Sequence, residues 1–116
     1  MSQPVYKILA EAALEAAKSE GRIMGTGDDL RDGFIHLSAG HQVAETLAKH
    51  YGGQEDLLLL TVDAERLGPG LKWEESRGGD LFPHLYGPLP LDAIVSVDAL
   101  ELDDDARHIL PDGVAA

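Results

Sequence analysis

Leu57-Leu58-Leu59-Leu60-Thr61-Val62 is almost uniformly apolar, only six residues long, and closed by Asp63. A run this short, with no helix-capping residue in front of it, reads as a strand buried on both faces at the centre of a sheet. The elements on either side of it are shorter and more polar. Upstream, Val5-Tyr6-Lys7-Ile8-Leu9 reads as a first strand. Ala10 to Glu20 follows as a helix, with Ala12, Ala13, Ala16 and Ala17 as a small-residue stripe on its packed face and Gly21 as its stop. Gly25 to Gly33, with three glycines and three aspartates, reads as a loop whose Asp28-Asp29 pair is solvated. A second helix is expected from a Ser38 cap to about Tyr51, with Val43, Ala44, Leu47, Ala48 and Tyr51 as its apolar stripe.

Downstream, Ala64 to Leu67 reads as one helical turn and Leu71-Lys72-Trp73-Glu74 as a strand. Ile94 to Leu102 is the last strand; its alternation changes phase at Ala99-Leu100, which predicts a bulge there. Two helices among five or six short strands give an α+β domain, a curved mixed or antiparallel sheet with its helices on one side. The 116 residues suit one domain spanning 1–116, with about 103–116 as a loosely held acidic segment.

Composition narrows the function. The net charge of −12 and the scattered basic residues argue against nucleic acid as a partner. No apolar run is long enough to cross a bilayer, and no basic segment leads into an apolar stretch, so neither a membrane span nor a secretory signal is expected. The absence of cysteine excludes disulfides and thiolate metal sites and fits the cytoplasm. The histidine spacings match no zinc motif. Gly25-Thr26-Gly27 matches neither a phosphate loop nor a dinucleotide fingerprint. Arg22 and Arg31 flank the Gly25-Thr26-Gly27 loop and Arg77 precedes Gly78-Gly79, as surface arginines or as a phosphate grip.

One pattern occurs twice. Phe34-Ile35-His36-Leu37-Ser38 and Phe82-Pro83-His84-Leu85-Tyr86 both read Phe-x-His-Leu-polar. In extended chain, alternation sets Phe34, His36 and Ser38 on one face and Phe82, His84 and Tyr86 on another. Two such strands could line a cleft. Gly87 would let a ligand or a backbone approach closely. His36 and His84 are candidates for acid–base work, and Glu74, at a strand end after Trp73, for a general base or a ribose-hydroxyl partner. Each also has a plain structural reading: core histidines satisfied by backbone, and a solvated glutamate. His36 and Ser38 alone make no nucleophile–base pair, because nothing in the sequence orients the ring.

Val5-Tyr6-Lys7-Ile8, Gly33-Phe34-Ile35-His36-Leu37-Ser38 with Gln42, and Phe82-Pro83-His84-Leu85-Tyr86-Gly87-Pro88-Leu89 followed by Leu91-Asp92-Ala93 together resemble the signature of domain-of-unknown-function family 952. The resemblance spans nearly the whole chain. That family is similar at fold level to ADP-ribosyltransferases and RNA 2′-phosphotransferases, which implies a sheet split in two that grips NAD or an ADP-ribose group. It implies His36, Ser38 and Gln42 on one wall of the cleft, His84 and Tyr86 opposite, and Lys7 where those enzymes carry a histidine. Lys7, Phe34, Ser38, Gln42, Tyr86 and Gly87 are then ligand-binding candidates, and His36, Glu74 and His84 catalytic ones. The chain departs from the enzymes in lacking an evident catalytic glutamate and the basic residues that grip RNA. Three functions follow: an enzyme of ADP-ribosyl-transfer type, a non-catalytic module for a small ligand or protein partner, and a purely structural domain.

Overall fold

The two faces of the long central strand have separate covers. In the computed structural model, which describes residues 4–25, 27–111 and 114, β1 (Val5–Ala10) pairs with β5 (Leu57–Val62) over six residues, from Val5↔Val62 to Ala10↔Leu57. On the other flank of β5 lies β9 (Ile94–Leu100), and on the other flank of β1 the two-residue β4 (Ser38–Ala39), giving the order β4-β1-β5-β9. One face carries Val5, Leu9, Leu58, Leu60 and Val62, which pack with Leu14 and Ala17 of α1 (Glu11–Lys18). The opposite face carries Tyr6, Ile8, Leu57 and Leu59, packed with Val43 and Leu47 of α3 (Val43–His50) and flanked by Leu110 and Val114. The expectation of helices on one side is therefore corrected. A strand apolar at both parities needs cover on both faces.

A second, three-stranded sheet closes over the α1 side, in the order β3 (Ile35–His36), β7 (Leu81–Leu85), β6 (Leu71–Glu75). It contributes Ile35 and Leu85 to the first core. A small pair, β2 (Arg22–Ile23) with β8 (Leu89–Pro90), adds Ile23 and Leu89. Every strand pairing among the described residues is antiparallel. The result is an α+β domain of antiparallel sheets with few helices.

Several local expectations change. Residues read as a loop contain α2 (Gly27–Asp32), with Asp28 and Asp29 in its first turn, Arg31 in its last, and Gly33 at φ +84° as its left-handed stop. Thr26 and the side chain of Arg77 lie outside the described residues, as do 112–113 and 115–116 of the acidic segment. Ser38 does not cap a helix; it pairs with Tyr6 in the sheet, and a 3-10 turn, Gly40–Gln42, precedes α3. Ala12, Ala16, Ala44 and Ala48 face solvent, because on helices this short Leu14, Ala17, Val43 and Leu47 suffice for the buried stripe. The register irregularity in β9 falls opposite Thr61/Val62, where Val62 faces Ile94, not at Ala99-Leu100. Beyond β9 the chain turns at Asp103, and His108 Nε2 meets the Gln54 carbonyl at 2.8 Å.

Candidate functional site

β4 stops after two residues, so β1 has a partner on that flank only at Val5 and Tyr6. Where β4 ends, a cavity of about 460 Å³ opens at the edge of β1. Lys7 reaches it from one face of the strand and Tyr6 and Ile8 from the other; α2, α3 with Tyr51 after it, β7, the β3–β4 segment and Ser76 after β6 supply the remaining walls.

Lys7 is 4% exposed, on the face that also carries Leu60. A buried ammonium needs a counter-charge. Asp29 of α2, itself 5% exposed, supplies it at 2.9 Å. Lys7 Nζ also donates to the His36 carbonyl at 3.2 Å. The other carboxylate oxygen of Asp29 accepts the His36 backbone N–H at 2.9 Å and faces His36 Nδ1 at 2.6 Å. Burial alone would raise the Asp29 carboxyl. The His36 ring bond, the Lys7 charge and the backbone bond outweigh it and hold Asp29 well below the usual carboxylate range. His36 Nε2 faces Asp32 at 3.1 Å, so both ring nitrogens stand against carboxylates. The ring that nothing in the sequence orients is thus oriented twice. The reading of Asp28-Asp29 as a solvated pair is corrected at Asp29. The sequence signal for it was a lysine inside an apolar strand, which demanded a buried acid somewhere.

The second histidine is braced differently. β3 and β7 pair with His36 opposite His84, and the two rings lie edge to face, 5.7 Å apart. His84 is buried, and its Nδ1 meets Glu74 Oε1 at 2.8 Å. The same carboxylate oxygen accepts the Tyr86 hydroxyl at 2.8 Å. These bonds hold Glu74 below its ordinary value, His84 first and Tyr86 second, and the Glu74 bond raises the Tyr86 phenol. With Nδ1 donating to Glu74, neutral His84 keeps its lone pair on Nε2, which has no hydrogen-bond partner among the described residues. Phe34 stacks on the His84 ring at 4.0 Å and also touches the rings of His36 and Tyr86.

The remaining candidates divide. Lys7, His36, Ser38 and His84 line the cavity, while Phe34, Glu74 and Tyr86 form a layer behind His84. Tyr86 is 42% exposed. Gln42 is buried and outside the lining: its Oε1 accepts from Ala39 N–H at 2.9 Å and its Nε2 donates to the Leu81 carbonyl at 2.8 Å. Gly87 sits at φ +126°, also outside the lining, in the turn after β7. Arg31 reaches the rim but is exposed and paired with Asp28 and Asp32. Phe82 lines the cavity as alternation placed it, whereas sequence reasoning missed Tyr6, Asp28, Asp29, Thr46, His50, Tyr51 and Ser76 as wall residues. Of these, Tyr6 was within reach, since it adjoins Lys7 on the same short strand. No group of metal-ligating side chains is present among the described residues, and no helix among them is long and apolar enough to cross a membrane.

Solved structures share this fold. A crystal structure of protein CC0527 from Caulobacter crescentus is 52% identical, covers 98% of this chain and 100% of its own, and superposes with a TM-score of 0.92. A solution NMR structure of CC0527 is 54% identical over 90% of each chain, with a TM-score of 0.81. No curated protein matches the chain. Residues 8–97 match the family described as Protein of unknown function (DUF952). The chain belongs to the DUF952 family.

Proposed function

We propose that the cavity binds a small ligand of the NAD or ADP-ribose class and that its histidine end performs ADP-ribosyl transfer. The observation that carries this reading is the pair of carboxylate-braced imidazoles on neighbouring paired strands of one sheet, 5.7 Å apart in one open cavity. An aromatic and hydroxyl-bearing wall (Tyr6, Ser38, Thr46, Tyr51, Phe82) suits the ring-and-ribose end of such a ligand. Its charged end would lie toward Arg31 at the rim. His84, with Nε2 unengaged, takes the proton from an acceptor hydroxyl or water as that oxygen bonds to the ribose C1′. The C1′–nicotinamide bond breaks, nicotinamide leaves with the bonding pair, and the proton passes from His84 to solvent. His36, held through both ring nitrogens by Asp29 and Asp32, positions the ligand by contact with its ring.

A non-catalytic binding module is the second reading. It is favoured by Glu74, which stands outside the cavity lining with Oε1 already engaged by His84 and Tyr86. NMR titration with NAD, ADP-ribose and NADP, combined with a nicotinamide-release assay, separates the two. The transfer reading expects shifted His36 and His84 ring signals at millimolar ligand, nicotinamide release, and loss of release with retained binding in His84→Gln. Binding without release leaves the second reading standing; no shift at either ring removes both.

A further inference from the structure

Tyr6 is 6% exposed and lines the cavity, yet its hydroxyl has no hydrogen-bond partner among the described residues. Burying a phenol without a partner costs about 1–3 kcal/mol, and buried polar groups are rarely left so. The sheet register pairs Tyr6 directly with Ser38, so the two side chains share a face. Ser38 is buried too, and its hydroxyl meets that of Thr46 on α3 at only 3.3 Å, a long contact for two hydroxyls. All three line the same cavity, on the α3 face of β1, whereas Lys7 lies on the opposite face.

The geometry points to a second binding subsite, formed by Tyr6, Ser38 and Thr46, that takes an uncharged hydrogen-bonding group such as a sugar hydroxyl or a carbonyl. None of the three residues carries a charge. Among the charged residues of the wall, Asp29 is paired with Lys7 and Asp28 with Arg31, so no cation stands unpaired there. An anion entering this end would lose its hydration with no counter-charge among the three hydroxyls, whereas a neutral hydroxyl or carbonyl would find the hydrogen bonds it needs. The Tyr6 hydroxyl donates to the incoming oxygen, and Ser38 and Thr46 each donate or accept as their rotors allow. This subsite rests on the cavity being a ligand site but not on the ligand being NAD or ADP-ribose.

The test uses the full chain with its tyrosine rings carbon-13 labelled, the Tyr6 signal being assigned from Tyr6→Phe. D-ribose and acetamide are the uncharged probes and inorganic pyrophosphate the charged one. The expected result is a saturable shift of the Tyr6 ring with an uncharged probe and none with pyrophosphate. Binding should weaken roughly tenfold in Tyr6→Phe, the worth of one hydrogen bond. The thermal midpoint of Tyr6→Phe should equal or exceed that of the parent, since no protein hydrogen bond is lost. Thr46→Val provides a second variant, with the same loss of affinity expected. Preference for pyrophosphate, no response of Tyr6 to either uncharged probe, or a lowered midpoint in Tyr6→Phe without change in affinity would overturn the subsite. Failure of NAD and ADP-ribose to bind, with D-ribose still shifting Tyr6, would remove the proposed reaction and leave the subsite intact.

Discussion

Lys7 decides the chemistry around His36. Its charge sits in an apolar strand, and Asp29 answers it while also gripping the His36 ring and backbone. Removing one partner of a buried pair typically costs about 3–5 kcal/mol, because the other charge is left without compensation. Asp29→Asn should therefore unfold at markedly lower denaturant than the parent at pH 7, measured by urea titration. The pH dependence has a definite sign. The folded carboxyl lies below its unfolded value of about 3.9, so its contribution is complete above that value and is lost as pH falls below it toward the folded one. The stability gap between parent and Asn variant should narrow as pH is lowered below about 4; a gap constant down to pH 2.5 would contradict this account. The two histidines were readable from alternation alone, because each lies in extended chain. Asp29 was not, because its role depends on a contact 22 residues away along the chain, with Lys7.

The turns between elements set the second layer of the site. Gly70 accepts the Tyr86 N–H at 2.8 Å, and a Cβ built on Gly70 would stand 2.8 Å from the Tyr86 carbonyl oxygen. That carbonyl is backbone and has little room to shift. Gly70→Ala should push β6 and β7 apart at this end and loosen the Glu74–Tyr86 bond. The expected readouts are a lowered thermal midpoint and a Tyr86 phenol that ionises at lower pH than in the parent, followed by ultraviolet absorbance. The raised phenol depends first on Glu74, so its relaxation reports the bond directly. β1, β5 and β6 were legible in the sequence, and most of α1, α3 and β9 with them, because their apolar patterns are strong. α2 was not: six residues with one leucine carry no apolar periodicity, and its end signals, acids first and Arg31-Asp32-Gly33 last, resemble those of a loop.

The net charge of −12 acts on the chain as a whole. The Cα radius of gyration is 13.4 Å, that of a compact chain of this length, so many carboxylates stand within one or two Debye lengths of each other at low salt. The surface ion pairs, such as Lys18–Glu15 and Lys49–Glu45, are exposed and contribute little. Screening should remove more repulsion than attraction. The thermal midpoint is expected to rise by a few degrees between about 10 mM and 0.2 M sodium chloride, and a fall would mean that the surface pairs dominate. The two-sided cover of β5 was implicit in its uninterrupted apolar run, but not which helix took which face. That assignment follows from register, and register follows from pairings far apart in sequence.

α2 is too short to persist by its own hydrogen bonds. Asp29, the residue that anchors it to Lys7 and to the His36 backbone, also aims the His36 ring. Fraying of this one segment would therefore disarm the imidazole and unseat a cavity wall in the same event, and the amides of 29–33 and the His36 amide should exchange with deuterium as one unit.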